Sequence, residues 1–349
     1  MKVVVRRVES LNAFENLWLR AAKIQYDLVS LMSPKTKPKE DSSATPNCRP
    51  ILVTGAAGQV GGIGRTVTGL LLNRGFSVRA MVHREDDRAA ALRAAGAEVV
   101  VGDLLEPADV YRIVNGCSQV YFGMSVSPGY LEASVIMAAV AREVGVSALV
   151  NMSQMTVSQM SIQNMTPSPQ QRQHWLSEQA LAWSGLPVVT IRPTVLLEGF
   201  FLPLTGPSVR DRGRIELPFG RGKTNPVAAA DVARVIGAIL ADSGPHLGMI
   251  YELTGPRSQD MNGIAREYSD ALNREVTYYD IPPEDWELEL QRARLPEHLT
   301  RHLVAMAELN RAGRYDLLAD GVKRVSGRQP IDVREFVSLH ADEFGGRRS

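Results

Sequence analysis

From residue 50 onward, short apolar runs alternate with segments whose apolar residues recur every three or four positions, the pattern of strands and helices taking turns in a parallel sheet. The runs ILVT (51–54), SVRAMV (77–82), AEVVV (97–101), QVYFG (119–123), ALVNMS (148–153) and PVVTIR (187–192) predict six strands. Between them, Val67, Leu70 and Leu71 read as one buried helical stripe and Leu131, Val135 and Ala139 as another. Gly75, Gly145 and Gly185 each stand just past a helix, where a left-handed residue is favoured. Strand–helix crossovers of one hand predict an α/β fold with a doubly wound parallel sheet.

The alternation breaks at both ends of this region. Segment 194–226 is dense in proline and glycine and reads as a loop insertion. DVARVIGAILAD (231–242) returns to a helix and MIYELTG adds a strand, which closes a domain over 50–257. The remainder, 258–349, carries helical patterns around GIAREYSDAL, PEDWELELQ, PEHLTRHLVAMAEL and VREFVSLHADEF. It is expected to form a smaller, mainly helical lobe over the carboxyl ends of the strands, where α/β proteins bind ligands. Upstream, Leu11, Phe14, Leu17, Trp18, Ala21, Ile24, Leu28 and Leu31 describe an amphipathic helix, followed by a linker rich in proline, lysine and serine that completes an extension over 1–49. That helix is either a loosely packed extension or a contact for a homodimer or a protein partner.

Composition narrows the function classes. In 349 residues, 44% are hydrophobic and 22% charged, which is globular rather than disordered. Lys and Arg number 39 against 38 Asp and Glu, so no excess charge draws the chain directly to nucleic acid or to an anionic membrane. Cys48 and Cys117 are too few for a disulfide framework or a zinc cluster, which fits a reducing, cytoplasmic setting. No apolar run has membrane-span length and no secretory h-region opens the chain.

The first strand runs directly into a glycine-rich turn, with Gly55, Gly58 and Gly61 in G-x-x-G-x-x-G spacing and Gly62 and Gly64 following. Strand, glycine turn and helix in that order are the context of a dinucleotide fingerprint, because a Cβ would block both the tight turn and the approach of backbone N–H groups to a pyrophosphate. The helix N-terminus adds unpaired donors and a positive dipole end. The third glycine role falls to either Gly61 or Gly64. At the end of the second strand, where an NAD site places a carboxylate, the chain reads Val82-His83-Arg84 before Glu85. A guanidinium there suits the 2′-phosphate of NADP(H), with charge-assisted hydrogen bonds of roughly 1.5–3 kcal/mol; NAD(H), read by Glu85 or Asp86, is the alternative. Asp103, after the third strand, either bounds the adenine pocket or caps the turn before Pro107.

Taken together, VTGAAGQVGG, VRAMVHR, GAEVVVGDL, SGLPVVTIRPT and NPVAAADVARVIGAIL make residues 50–257 resemble the NmrA-like branch of the atypical short-chain dehydrogenases. The resemblance implies a Rossmann-type NAD(P)-binding domain that serves quinone- and dye-reducing enzymes, isoflavone-reductase-like enzymes or non-catalytic redox-sensing regulators. No tyrosine in this chain has a lysine four residues later, so the usual Tyr-x-x-x-Lys pair of short-chain dehydrogenases is absent. The corresponding helix reads PQQRQHWLSEQALAWSG, and where the resembling reductases carry lysine or histidine it offers His174.

Hydride transfer to a quinone or enone builds negative charge on an oxygen that a nearby donor must stabilise, and histidine can be that donor. The competing reading of His174 is a surface residue paired with Glu178 one helical turn on. Ser153, closing the fifth strand, is a second catalytic candidate, while Met124, Pro193 and Thr194 are expected to line the nicotinamide pocket. Met155, Met160 and Met165 fit a core or an adaptable pocket wall. Two functions follow from these residues: an NADPH-dependent oxidoreductase acting on a quinone-like or unsaturated carbonyl small molecule without a metal, or a non-catalytic NADP(H)-binding regulator working through a protein partner.

Overall fold

The structure, a computed structural model, describes residues 49–58 and 62–346. The predicted helix and linker over 1–48, and Gly61, lie outside the described residues.

Seven parallel strands build the main sheet: β1 (Ile51–Val53), β2 (Val78–Val82), β3 (Glu98–Val101), β4 (Gln119–Phe122), β5 (Ala148–Met152), β6 (Val188–Pro193) and β8 (Ile250–Leu253). Their order across the sheet is β3-β2-β1-β4-β5-β6-β8. β1 pairs with β2 on one side and β4 on the other, so the winding reverses between β1 and β4. That crevice is where open α/β sheets bind ligands. Its two rims are tied together: the Thr54 hydroxyl donates to Gly123 O at 2.9 Å and accepts from Gly123 N–H at 2.8 Å. Every residue of β1 is buried, as a strand covered on both faces requires.

Helices α1 (Ile63–Leu72), α2 (Asp87–Ala94), α3 (Pro107–Val114), α4 (Tyr130–Val144) and α5 (Pro169–Trp183) connect the first six strands. α1 buries Val67 and Leu71 as predicted. Gly75, Gly145 and Gly185 have φ of 81°, 72° and 73°, the left-handed conformation expected of them. The stripe predicted for α4 is displaced. Tyr130, Ala133, Ser134, Met137 and Ala141 face inward, whereas Val135 is 47% exposed and Ala139 is exposed. Both sets have helical spacing, and the one that carries the large Tyr130 and Met137 side chains takes the interior.

The loop expected at 194–226 is largely ordered secondary structure. A π-helical turn, Leu197–Phe201, leads into α6 (Leu202–Arg212), which Gly213 ends at φ 65°, and β7 (Arg214–Leu217) follows. Pro203 falls where the π-helical turn passes into α6. Burial of Leu197, Phe200, Phe201, Leu202 and Val209 outweighs the cost of Pro207 inside the helix.

After α7 (Ala229–Ala241) and β8 come α8 (Met261–Leu272), β9 (Thr277–Asp280), α9 (Pro283–Arg292), α10 (Glu297–Arg311), α11 (Gly321–Ser326) and α12 (Val333–Leu339). β9 pairs in parallel with β7, a small second sheet that weaves segment 197–217 into the helical region. One apolar cluster accordingly joins Phe200, Phe201 and Phe219 to Tyr268, Trp286, Phe336 and Phe344. The C-terminal region is also pinned back on the Rossmann-type part. The carboxylate of Asp231, wholly buried in the first turn of α7, accepts from Ile331 N–H at 2.7 Å.

Candidate active site

One cavity of about 240 Å³ begins at the glycine turn, passes the carboxyl ends of β4, β5 and β6, and ends against α10. Its floor is Gly55, Gly58 and Gly64; its sides include Met124, Ser153, Pro193 and Thr194; its far wall is made by Phe200, Leu299, His302, Met306 and Tyr315. His174 and Gln170 of α5 face it as well. The sheet thus brings together eight of the residues singled out in the sequence: the three glycines, Met124, Ser153, His174, Pro193 and Thr194.

The glycines sit where side chains have no room. Gly55 has φ 62°, and a Cβ on it would come within 2.8 Å of Gly123 O. A Cβ on Gly64 would stand 2.6 Å from Gly55 O. Gly64, in the first turn of α1, therefore occupies the position of close helix–turn packing that the third glycine of the fingerprint serves. Among the described residues, no side chain caps the first turn of α1, whose N-cap is Gly62.

Beside the turn stands a cluster of guanidinium groups. Arg88 donates to Ala57 O at 2.8 Å and, through both Nε and Nη2, to Asp86 Oδ2, and Asp86 itself caps α2. Arg65 is lowered from the ordinary guanidinium value, first by burial and then by neighbouring Arg88. Arg84 is different. Its side chain is 74% exposed, with one ion pair to Asp86 at 3.7 Å. The carboxylates that could read a ribose are engaged elsewhere, Glu85 by Arg93 and Asp86 by Arg88. The Arg93 and Arg88 partners hold Glu85 and Asp86 below the usual carboxylate range. Asp103 makes a local turn, accepting from Leu105 N–H at 2.9 Å. Neither Arg84 nor Asp103 borders the cavity.

His174 does not pair with Glu178. Its ring packs on Tyr130 with centroids 4.1 Å apart, and Tyr130 is held in turn by its hydroxyl donating to Met152 O at 2.7 Å. Ser127 N–H donates to Gln170 Oε1 at 3.1 Å, which turns the Gln170 amide nitrogen toward His174 Nε2 at 3.3 Å. The ring proton then belongs on Nδ1, a buried atom with no protein partner. Burial, reinforced by His302, pushes the His174 pKa down to about 3, so the imidazole is neutral.

Glu178 instead anchors a buried polar knot. Ser153 Oγ donates to Glu178 Oε1 at 2.5 Å, and Arg192 grips both oxygens of the same carboxylate at 3.0 and 2.5 Å. The knot joins β5, α5 and β6 beneath the cavity. Only its serine was legible beforehand, because Glu178 and Arg192 are far apart in sequence and each reads as an ordinary surface charge.

The lobe contributes residues that no sequence pattern marked. His302 Nδ1 lies 2.9 Å from Ser168 Oγ, and Gln171 Nε2 donates to the Tyr315 hydroxyl at 3.2 Å. Burial pushes His302 down to about 4. The Thr194 hydroxyl is buried without a partner. Met155 and Met160 lie in the interior, and the methionines that border the cavity are Met124, Met152 and Met306. Among the described residues, no group of His, Cys, Asp and Glu could hold a metal ion, and no helix is long and apolar enough to cross a membrane.

Comparison with known proteins bears on this site. A family model described as NAD(P)H-binding matches residues 55–243, more than half of the chain and the whole stretch from the glycine turn to the end of α7. The chain belongs to this NAD(P)H-binding family. Within it, the chain is similar to the NAD(P)H azoreductase of Xenophilus azovorans, 29% identical over 303 residues that cover 84% of this chain and 99% of the relative. Its fold matches that of the NADPH-dependent quinone oxidoreductase of Escherichia coli crystallised with NADPH, with TM-score 0.73, 22% identity and 83% and 99% of the two chains covered. It also matches NmrA, a negative transcriptional regulator, with TM-score 0.64, 15% identity and 84% and 98% covered. The NmrA-like resemblance therefore holds at the level of fold, and the glycine cradle suits the dinucleotide that the family binds.

Proposed function

We propose that this protein is an NADPH-dependent oxidoreductase that passes hydride to a quinone-like or unsaturated carbonyl small molecule. The observation that carries this reading is the continuity of the cavity. A dinucleotide laid on the glycine turn leaves, next to its nicotinamide end, an apolar space closed by Phe200, Leu299, Met306 and Tyr315. A regulator that only senses the dinucleotide needs no such compartment beyond it. The names of the azoreductase and of the quinone oxidoreductase agree with an acceptor that is flat and conjugated.

Gly55, Gly58 and Gly64, with the N-terminus of α1, hold the pyrophosphate, and Arg84, with the Arg65 and Arg88 charges nearby, receives the 2′-phosphate. Met124, Pro193 and Thr194 wall the nicotinamide end. A bound NADPH supplies a hydride equivalent from nicotinamide C4. The apolar walls exclude water and orient the acceptor. His174, kept neutral by its surroundings and held by Tyr130 and Gln170, shapes the cavity wall and is not a proton source, so the proton that completes reduction comes from water. Ser153 has its proton committed to Glu178 and serves as a wall that fixes the end of β5.

The test is NADPH oxidation followed optically against quinones, azo dyes and enones, with His174→Ala as the control. Turnover that falls at least about tenfold in that variant supports the assignment. Tight NADPH binding with no turnover on any acceptor would instead make the protein a dinucleotide-binding regulator.

A further inference from the structure

We infer that His302, on the lobe helix α10, is a hydrogen-bond donor to the acceptor and that it acts through Nε2. The inference rests on the reductase reading above and deepens it by naming a residue that the Rossmann-type part does not supply.

The first observation is the contrast between the two histidines of the cavity. His174 Nδ1 is enclosed and its Nε2 faces Gln170. His302 borders the same cavity, has Nδ1 bound to Ser168 Oγ at 2.9 Å, and keeps Nε2 without a protein partner. No described residue partners Nε2, yet it is absent from the buried, unpartnered polar atoms, so it is accessible, and the cavity that His302 borders is the space open to it.

The second observation is that Ser168 decides the tautomer. As the N-cap of α5, its oxygen accepts from Gln171 N–H at 3.3 Å. Ser168 is fully buried and, among the described residues, its hydroxyl hydrogen has no acceptor but His302 Nδ1; accepting it makes Nδ1 the unprotonated nitrogen of a neutral ring. The proton is thereby placed on Nε2, facing the cavity. Burial disfavours a second proton, in keeping with a donor that remains neutral.

A neutral N–H donor on an apolar wall suits an uncharged acceptor whose oxygen gains negative charge as it is reduced, and it adds most when that charge is greatest. His302 belongs to α10 and Ser168 to α5, so the donor is in place only when the lobe is docked on the Rossmann-type part.

The test uses the full chain with menadione, a 1,4-naphthoquinone, as the probe. His302→Ala is expected to lower kcat/KM at least about tenfold, mainly through kcat, with the NADPH dissociation constant unchanged. His302→Gln, which keeps an N–H donor and most of the side-chain volume, is expected to recover part of the loss. A kcat/KM within twofold of the unsubstituted protein in a folded His302→Ala variant would overturn the inference. If the unsubstituted protein reduces no acceptor, the reductase reading is lost on its own. His302 is then judged by menadione binding to the NADP⁺-loaded protein, where equal affinity in His302→Ala, or no binding by the unsubstituted protein, overturns the inference and weaker binding in the variant supports it.

Discussion

Ser153, directly after β5, and Glu178 on α5 are joined by a hydrogen bond of 2.5 Å, and the same carboxylate is gripped by Arg192 of β6. Twenty-five residues separate the first pair in sequence, yet the contact fixes the strand end that borders the cavity beside the helix that carries His174. The three side chains act as one unit: the carboxylate neutralises a guanidinium that is 15% exposed, and the serine satisfies part of the carboxylate. Such groups are costly singly and tolerable together.

Glu178→Gln is therefore expected to destabilise the protein by about 3 kcal/mol, because it leaves Arg192 buried with only Glu252, at 3.8 Å, to balance it. Urea unfolding measures the loss. A change below about 0.5 kcal/mol, the scale of surface substitutions, would show that the knot carries little.

Gly64→Ala is expected to weaken NADPH binding at least about tenfold and to cost about 1–3 kcal/mol of stability, as overpacking does. The added Cβ would meet Gly55 O at 2.6 Å, and relieving that clash moves the turn away from α1. Fluorescence titration with NADPH is the measurement. Gly69→Ala, on the same helix with open space at its Cβ position, is the matched control.

Arg84→Ala is expected to reduce NADPH affinity about tenfold and to leave NADH affinity unchanged, the signature of a lost 2′-phosphate contact. Equal affinities for NADPH before and after substitution would move the 2′-phosphate to the Arg65 and Arg88 side of the turn.

The neutral state of His174 has a consequence for stability. Its folded pKa of about 3 lies below the ordinary value of 6.5, so the unfolded chain takes up the proton first. The stability it contributes is fully present above pH 6.5 and declines as pH falls from there toward 3. At pH 5 the loss from this one group is about 2 kcal/mol. Unfolding free energies at pH 7 and pH 5, compared between the unsubstituted protein and His174→Gln, check the sign and size. His174→Gln should lose less stability on acidification.

Local pattern sufficed wherever the physics is local. A continuous apolar run such as Ile51–Val53 suits a strand covered on both faces, and the turn between that strand and α1 leaves no room for a Cβ at Gly55 or Gly64. The strands, the left-handed glycines and the residues at the strand ends followed from such constraints. Segment 197–217 did not, because its prolines and glycines argue for a loop while its burial against Tyr268, Trp286 and Phe344, residues remote in sequence, makes it a helix and a strand. The same limit applies to the site. The amino-acid sequence by itself determined the glycine cradle and Arg84 as candidates, since each sits at a fixed step from a strand, and offered His174 through the family resemblance. Only the tertiary structure decided that Gly64 packs on Gly55, that Glu178 belongs to Arg192 and Ser153 rather than to His174, and that His302 closes the cavity from the lobe. Those partnerships depend on how α5, β6 and α10 are brought together in space, which residue spacing along the chain does not encode.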